Sequence, residues 1–155
     1  MATNENSITV SRDIDAASSE IFDLLTLPER HHEFDGSGMV RSDDRSNRIQ
    51  AVGDEFTMNM HGDHMDGDYQ TVNRVIAYAE NERVGWQPRP ADKDEFGGWE
   101  WVYEIESLGS DQSRVTLTYD WSKVEDKKLQ AIFPLVSEEQ LEDSLNQLAA
   151  AVTGA

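Results

Sequence analysis

Hydrophobic and polar residues alternate along much of the chain with the two-residue period of β-strands. In GWEWVYEIES (98–107), aromatic and aliphatic residues at odd positions alternate with glutamates, Val102 excepted. RVTLTYDW (114–121) repeats this pattern. Such alternation predicts an antiparallel sheet with one covered face and one face in water. Further strands are predicted at SITVSRDI (7–14), GMVRSDD (38–44), DEFTMNM (54–60), DYQTVNRVIAYA (68–79) and RVGWQP (83–88).

Helical spacing replaces this alternation near the start of the chain. In DAASSEIFDLL (15–25), Ser18 or Ser19 can cap a helix that carries an apolar stripe. Pro28 interrupts the stripe and can begin a second short helix, PERHHEF (28–34). The pattern therefore predicts two short helices after the first strand.

A longer helix is predicted at the C-terminus. Ser137 and Gln140 have the spacing of a capping box. Leu141, Leu145, Leu148 and Val152 then fall on one helical face. A helix with one apolar stripe and a sheet with one aromatic face bury each other, which predicts an α+β fold.

Composition narrows the class of protein. The 155 residues suffice for a single domain over 1–155, with disorder expected over the polar residues 1–6. Thirteen basic and 31 acidic residues give a net charge of −18, which disfavours binding to nucleic acid or anionic membranes. The sequence has no cysteine, no signal pattern and no run approaching the roughly 20 apolar residues of a membrane span. A cytoplasmic protein without membrane insertion is the expectation.

The predicted order of elements resembles the START-like (SRPBCC) superfamily, which has the helix-grip fold. ITVSRDIDAASSEIFDLLTLPERHHEFDGSG resembles the opening strand and paired helices of that superfamily. VGDEFTMNM resembles its V-G-D-x-F strand entry, and VNRVIAYAENERVGWQPR resembles its hairpin with an aromatic strand. The resemblance covers about Ser7 to Val152 and is nearest to the polyketide cyclase/dehydrase-like branch. It implies a curved antiparallel sheet of about seven strands that grips the long helix around an apolar cavity.

The aromatic face of the sheet is the candidate binding surface. Aromatic residues at strand spacing form a plain hydrophobic core in many proteins, whereas buried tryptophan, tyrosine and methionine also suit the lining of a pocket. With the resemblance, a cavity is favoured. The candidate ligand-binding residues are Phe56, Met58, Met60, Asn73, Trp86, Trp99, Trp101, Tyr103, Leu117, Tyr119 and Leu145.

Two polar residues fall on predicted apolar faces. Arg12 lies between Val10 and Ile14, where it can form a structural ion pair, reach water at a strand edge, or anchor a carboxylate or enolate. Asn73 offers a neutral donor and acceptor if its strand face is turned inward. The two faces of that strand differ little, so the opposite register is equally compatible with the pattern.

The evidence for catalysis in the sequence is weak. The candidates for a proton donor or acceptor are Tyr103, Tyr119, His32 and Arg12. No G-x-S-x-G elbow, P-loop or dinucleotide fingerprint is present, and no cofactor is predicted. Whether the protein is an enzyme stays open at this stage.

Two loops contain residues that resemble chemical sites. HGDHMDGDY (61–69) has histidines and aspartates, but its spacing does not match a calcium loop, and a solvated hairpin turn without a metal is predicted. The connection around 88–99 is polar and can be a mobile hairpin loop, a lid over the cavity, or both.

The stretch RHHEFDGSGMV (30–40) combines two histidines, two acids and a G-x-G. The glycines lead into a strand, which excludes a phosphate-binding loop, and DGSG is predicted to form a turn. Adjacent histidines on a helix point roughly 100° apart, so at most one faces inward. His32 is expected either to touch a ligand at the cavity entrance or to lie in solvent, with solvent favoured.

Three functions are compatible with these patterns. The favoured one is a module that binds a small hydrophobic or amphipathic molecule, lipid-like or aromatic, as a monomer or weak homodimer. The second is a cyclase- or dehydratase-type enzyme that acts on a polyketide-like or other hydrophobic substrate. The third is a chaperone-assisting interaction module, which ranks last because the outer strand faces carry mainly Glu, Asp, Thr and Arg.

Overall fold

A computed structural model of the chain describes residues 2–4, 6–44 and 46–154. Its strands form one curved antiparallel sheet in the order β1-β2-β8-β7-β6-β5-β4-β3. The α+β helix-grip architecture predicted from the sequence is confirmed. The strands are β1 (Ala2–Asn4), β2 (Ser7–Ile14), β3 (Val40–Asp43), β4 (Glu55–Gly62), β5 (Gly67–Ala79), β6 (Arg83–Pro90), β7 (Glu100–Gly109) and β8 (Gln112–Asp120).

Helices cover the inner face of this sheet and close one of its ends. The α-helices are α1 (Ser18–Leu25), α2 (Lys127–Ile132) and α3 (Glu138–Thr153). Two 3-10 helices complete the set: Pro28–Glu33 follows α1, and Asp63–Met65 connects β4 to β5. The break at Pro28 and the second short helix agree with the sequence pattern.

Strand β1 lies within the segment 1–6, for which the sequence predicts disorder. Its backbone pairs with the first residues of β2, with Ala2 opposite Thr9. The edge of β2 presents unpaired backbone groups, and an adjacent extended segment satisfies them. Residues 2–4 thus add a short edge strand to the predicted sheet of about seven strands. Met1 and Glu5 lie outside the described residues.

Helix α3 packs its leucine stripe against the sheet. Ser137 accepts a hydrogen bond from the Gln140 backbone N–H, and the Gln140 side chain accepts one from the Ser137 backbone N–H, so the predicted capping box is present. Leu141, Leu145 and Leu148 on its inner face are completely buried. The helix thereby covers β2 and the neighbouring part of β8.

The loop that follows the Pro28–Glu33 helix presses directly against α3. The Gly36 backbone N–H donates to Ser144 Oγ at 2.8 Å. A Cβ atom at position 36 would lie 2.1 Å from the carbonyl oxygen of Gln140, so only glycine fits here. Asp35 then turns the chain into β3, because its carboxylate accepts the backbone N–H groups of Ser37 and Val40. The predicted turn at DGSG is confirmed.

Strands β6 and β7 separate at one end of the sheet. Their pairing runs from Arg83 opposite Glu104 to Trp86 opposite Trp101 and ends there. Residues 87–90 of β6 have no partner in β7, although both strands lie wholly within the described residues. The 91–99 loop joins the two strands across the resulting gap.

Candidate ligand-binding cavity

A cavity of about 250 Å³ lies between the inner face of the sheet and the helices. Its walls contain nine phenylalanine, tyrosine or tryptophan side chains and four methionine side chains. Nine of the eleven residues predicted to bind a ligand line it. They are Phe56, Met58, Met60, Asn73, Trp86, Trp99, Trp101, Tyr103 and Tyr119.

The other two predicted residues do not line the cavity. Leu117 and Leu145 are 0% and 1% exposed, and both belong to the hydrophobic core between the sheet and α3. Both face the layer between the sheet and α3, as predicted, and Leu145 also borders a separate surface pocket beside Arg12 and Asn146.

Arg12 does not reach the cavity. Its side chain is exposed on the side of β2 that α3 covers, and its Nη1 donates to Asn146 Oδ1 at 2.7 Å. The long side chain extends past the apolar face to water, as one of the sequence interpretations expected. Its position argues against the hypothesis that it anchors a carboxylate or enolate in the pocket, and against Arg12 as a catalytic candidate.

The two candidate tyrosines do line the cavity. Tyr103 is 4% exposed, and its hydroxyl has no hydrogen-bond partner among the described residues. Burial, with a smaller contribution from the negative charge of Asp35, raises the pKa of Tyr103 far above its usual range. Burial also raises the pKa of Tyr119, whose ring stacks on Trp101 with 4.1 Å between centroids. Both phenols are therefore neutral hydrogen-bonding groups.

His31, and not His32, faces the cavity. His32 is exposed, whereas His31 is 4% exposed and its ring stacks on Trp86 with 4.9 Å between centroids. Sequence reasoning missed His31, although a signal was present. Pro28, His31 and Phe34 recur every three residues, which is the period of a 3-10 helix, and all three are buried.

The hydrogen bond of His31 fixes its tautomer. Its Nε2 lies 2.7 Å from the carbonyl oxygen of Leu25, which can only accept, so Nε2 carries the proton. Burial lowers the pKa of His31 to about 4, and the ring is neutral at pH 7. Its Nδ1 is then an unprotonated acceptor.

Two acceptor atoms face open space inside the cavity. Every described side-chain nitrogen or oxygen atom that is fully buried has a hydrogen-bond partner. An atom without a partner is therefore not fully buried. Nδ1 of His31 has no partner among the described residues, so it contacts the open volume that this residue lines. The same holds for Oδ1 of Asn73, whose Nδ2 donates to the Phe56 carbonyl oxygen and to Thr71. The inward register of Asn73 is thus settled.

The cavity opens at the end of the sheet where β4, β6 and β8 finish. Met65 in the Asp63–Met65 turn is 39% exposed, and Ile132 at the end of α2 is 49% exposed, yet both line the cavity. Pro88 and Pro90 of β6 line the same end. Helix α2 was not predicted from the sequence, and it supplies part of this rim.

The 91–99 loop lies beside the opening and is attached to the outer face of the sheet. The Phe96 ring lies under two guanidinium groups, with the Cζ atoms of Arg74 and Arg89 at 4.5 Å and 5.6 Å from its centroid. Trp99, at the end of the loop, lines the cavity. The loop is therefore placed where a lid would be, as the sequence interpretation allowed.

The acidic HGDHMDGDY segment forms the predicted turn between β4 and β5. Within the described residues, no group of three or more His, Cys, Asp or Glu side chains is placed to hold a metal ion. Nδ1 of His61 lies 2.8 Å from Oδ1 of exposed Asp68 across this hairpin. The side chain of His64 lies outside the described part of the chain.

The architecture defines a helix-grip protein with an internal aromatic cavity. The family model described as "Activator of Hsp90 ATPase homolog 1-like protein" matches residues 15–153. The chain therefore belongs to this family, within the SRPBCC superfamily predicted from the sequence. The polyketide cyclase/dehydrase-like branch stays a prediction.

The uncharacterized protein Rv0088 of Mycobacterium tuberculosis is 35% identical over 114 residues, which cover 72% of this chain and 47% of that protein. The chain thus matches about half the length of this relative. Solved structures confirm the fold at low identity. A protein from Arthrobacter aurescens has a TM-score of 0.70 at 14% identity, with 96% of this chain and 87% of that chain covered.

Two further solved structures have the same fold. Ginseng major latex-like protein 151 from Panax ginseng has a TM-score of 0.63 at 14% identity, and the match covers 94% of this chain and 95% of that chain. The Aha1 dimer from Colwellia psychrerythraea has a TM-score of 0.57 at 17% identity with the same coverage of 94% and 95%. None of the helices in the described residues has the length and apolar character needed to cross a membrane.

Proposed function

We propose that the protein binds a small aromatic or lipid-like molecule in the cavity. This proposal rests on one observation. The aromatic and methionine side chains of the sheet face do not pack into a closed core but surround an open space of about 250 Å³. Protein interiors otherwise pack at the density of organic crystals. Cavities of roughly 150 Å³ bind benzene, so this volume suits a molecule of about two fused rings.

The composition of the walls supports binding as the primary role. Apolar walls lose dispersion contacts when they face empty space, and a ligand of matching shape restores those contacts. A few polar atoms in a mostly apolar cavity fix the orientation of the bound molecule. Here these atoms include Nδ1 of His31, Oδ1 of Asn73 and the Tyr103 hydroxyl.

Thermal denaturation with 1-naphthylmethanol and its amine and carboxylate analogues tests this proposal. A ligand that binds only the folded state raises Tm as its concentration increases. Met60 is half-buried and lines the cavity, so Met60→Trp should fill part of the cavity and abolish the increase in Tm. Thr57→Trp places the same side chain on the opposite face of that strand and should preserve it. Absence of a Tm increase with all three probes, together with a native mass spectrum free of bound molecules, would contradict the proposal.

A cyclase- or dehydratase-type reaction is a second candidate, favoured by one observation. An unprotonated His31 Nδ1 and the neutral Tyr103 hydroxyl line the same cavity, which provides a proton acceptor and a proton donor. A pKa of about 4 makes His31 a weak base at pH 7, so binding alone ranks first. Loss of turnover in both His31→Gln and Tyr103→Phe, with ligand binding retained, would favour the enzyme.

A chaperone-assisting role is the third candidate and rests on the family name. Such a role needs an outer surface that docks on a partner protein. The described outer strand residues are mainly polar and acidic. Of the four exposed large hydrophobic residues, Met65 and Ile132 belong to the cavity rim, while Val52 and Leu108 lie in separate segments, a turn before β4 and the end of β7. This role therefore ranks below small-molecule binding. A monomer or weak homodimer remains the predicted assembly.

A further inference from the structure

The cavity wall carries one formal charge at pH 7, and it is negative. Among the described residues that line the cavity, Asp35 is the only acidic one, and none is lysine or arginine. His31 contributes no positive charge, because burial keeps its ring neutral. An anionic molecule in this cavity would therefore have no cation to pair with, and a buried unpaired charge is costly.

The carboxylate of Asp35 is held in a fixed position and can accept further hydrogen bonds. Its Oδ1 accepts the Ser37 N–H at 3.0 Å, its Oδ2 accepts the Val40 N–H at 2.7 Å, and the Ser37 hydroxyl donates to the same group. A carboxylate offers about four acceptor positions, so these three donors leave room for another. No described basic side chain lies within ion-pair distance of Asp35.

Two phenols lie within the electrostatic reach of this carboxylate. Burial raises the pKa of Tyr69 to about 12, and the charge of Asp35 acts in the same direction. Burial, and to a smaller extent the charge of Asp35, also raises the pKa of Tyr103. The charge of Asp35 is thus felt on the side of the cavity where Tyr69 and Tyr103 lie.

The rest of the lining also presents negative potential. The faces of aromatic rings attract cations, and tryptophan does so best. Trp86, Trp99 and Trp101 all contribute to the wall. Nδ1 of His31 and Oδ1 of Asn73 are unpaired acceptors that match the N–H donors of an ammonium group, and the unpaired Tyr103 hydroxyl oxygen can accept as well.

The charge of the whole protein acts in the same direction. A net charge of −18 raises the local concentration of cations and lowers that of anions. The interior charge, the ring faces, the acceptor atoms and the outer field thus all favour one sign of ligand. The site therefore differs from a plain apolar pocket, which would not discriminate between cationic and anionic ligands.

We infer that the ligand is an organic cation, an amine on an aromatic or apolar body of about two rings, with its ammonium group beside Asp35. This inference rests on the proposed function, because it assigns the chemical class of the molecule that the cavity binds. The apolar body fills the space between the tryptophans, and the ammonium group donates to the carboxylate and contacts the ring faces of the wall.

Three probes of nearly equal shape test the inference by titration calorimetry at pH 7. They are 1-naphthylmethylamine, which is cationic, 1-naphthylmethanol, which is neutral, and 1-naphthylacetate, which is anionic. We expect the amine to bind about tenfold more tightly than the alcohol or better, which corresponds to about 1.4 kcal/mol. The acetate is expected to bind more weakly than the alcohol. This ranking needs only the wild-type protein.

Asp35→Asn should remove the preference for the amine and leave the affinity for the alcohol within about threefold, because the amide keeps an acceptor oxygen but loses the charge. Asp54→Asn is the matched control. Oδ2 of Asp54 also accepts two backbone N–H groups in a turn, those of Gln50 and Ala51, but Asp54 does not line the cavity. This control should retain the wild-type ranking.

Each outcome bears on a distinct claim. If the alcohol or the acetate binds the wild-type protein as tightly as the amine, the inference of a cation is wrong while the proposed function stands. If none of the three probes binds and a native mass spectrum shows no bound molecule, the proposed function fails and the inference fails with it. Equal loss of amine affinity in Asp35→Asn and Asp54→Asn would attribute the preference to net charge and overturn the role of Asp35.

Discussion

At the scale of single residues, buried His31 couples the stability of the fold to pH. Its pKa is about 4 in the folded protein, against an ordinary value of 6.5 in the unfolded chain. Between these values the unfolded chain binds a proton that the folded protein does not bind. Stability therefore rises with pH across this window and falls as the pH decreases from 6.5 towards 4.

Replacement of His31 by Gln should reduce this pH dependence. Glutamine can donate to the Leu25 carbonyl oxygen but does not titrate. When the pH is lowered from 7 to 4.5, we expect the free energy of unfolding of the wild type to decrease by about 2–3 kcal/mol more than that of His31→Gln. Urea denaturation at the two pH values measures this difference.

His32→Gln is the control for that experiment, because His32 is the exposed neighbour in the same short helix. It should show the pH dependence of the wild type. All carboxylates are shared by the three proteins, so their contribution cancels in the comparison. If His31→Gln and the wild type lose the same stability on acidification, His31 is not buried as a neutral ring.

The sequence predicted that at most one of the two adjacent histidines faces inward, but His32 was nominated as the candidate. The rotation of a short helix about its axis depends on tertiary contacts. Here the hydrogen bond from His31 to the Leu25 carbonyl oxygen and the stack on Trp86 select the inward residue. The three-residue recurrence of Pro28, His31 and Phe34 marks the inward side only once the helix is known to be 3-10, and neither contact is visible in residues 28–34 themselves.

At the scale of elements, predictability follows the strength of the local signal. Helix α3 was predicted because its capping box and its leucine stripe lie within the helix itself. Helix α2 was missed because it has no buried residue and hence no clear apolar stripe, although Asp126 caps it. Strand β1 has three residues, which is too short for an alternating pattern to emerge.

The contact between the Gly36 loop and α3 leads to a prediction about stability. Gly36→Ala would place a methyl group within 2.1 Å of the Gln140 carbonyl oxygen, so the loop or the helix must shift. Overpacking of this kind costs roughly 1–3 kcal/mol. Chemical denaturation should therefore show a lower free energy of unfolding for Gly36→Ala.

Gly109→Ala is the matched control, because a Cβ atom at Gly109 meets no atom within 4 Å and its backbone does not have a positive φ. This variant should be as stable as the wild type or slightly more stable, since alanine reduces the freedom of the unfolded chain. Equal stability of Gly36→Ala and the wild type would mean that the loop does not press on α3.

At the scale of the whole molecule, the net charge of −18 sets the response to salt. Self-repulsion among so many like charges destabilises the compact state, and salt screens it. The described ion pairs are largely exposed, and such pairs contribute roughly 0–1 kcal/mol each, so their weakening by salt is the smaller effect.

Thermal stability should therefore increase with ionic strength. Between about 0.01 M and 0.15 M NaCl, where the screening length falls from about 30 Å to about 8 Å, we expect Tm to rise by several degrees. KCl should give the same curve, because screening depends on ionic strength. A Tm that is constant or falls with salt would contradict dominant self-repulsion.

The general position of the cavity could be predicted from the sequence, whereas its charge character could not. Alternation in β4, β7 and β8 placed the aromatic residues on one face, and nine of the eleven nominated residues line the cavity. The inward position of Asp35 depends on the turn that follows it and on the approach of Gly36 to α3. Contacts between segments over 100 residues apart leave no periodic signal.

Strands β6 and β7 stop pairing at Trp86, before either strand reaches the connecting loop, and this affects how fast a ligand can exchange. A molecule that leaves the cavity between Pro88 and Trp99 breaks no hydrogen bond of the sheet, since pairing stops at Trp86. The 91–99 loop has to move, by releasing Phe96 from Arg74 and Arg89 and the Lys93 carbonyl oxygen from Arg89 Nη1. Loop motions occur in nanoseconds to microseconds, far faster than opening of a folded core. The residence time of a bound molecule is then determined by its own contacts with the wall, and the cavity can exchange its contents while the sheet stays intact.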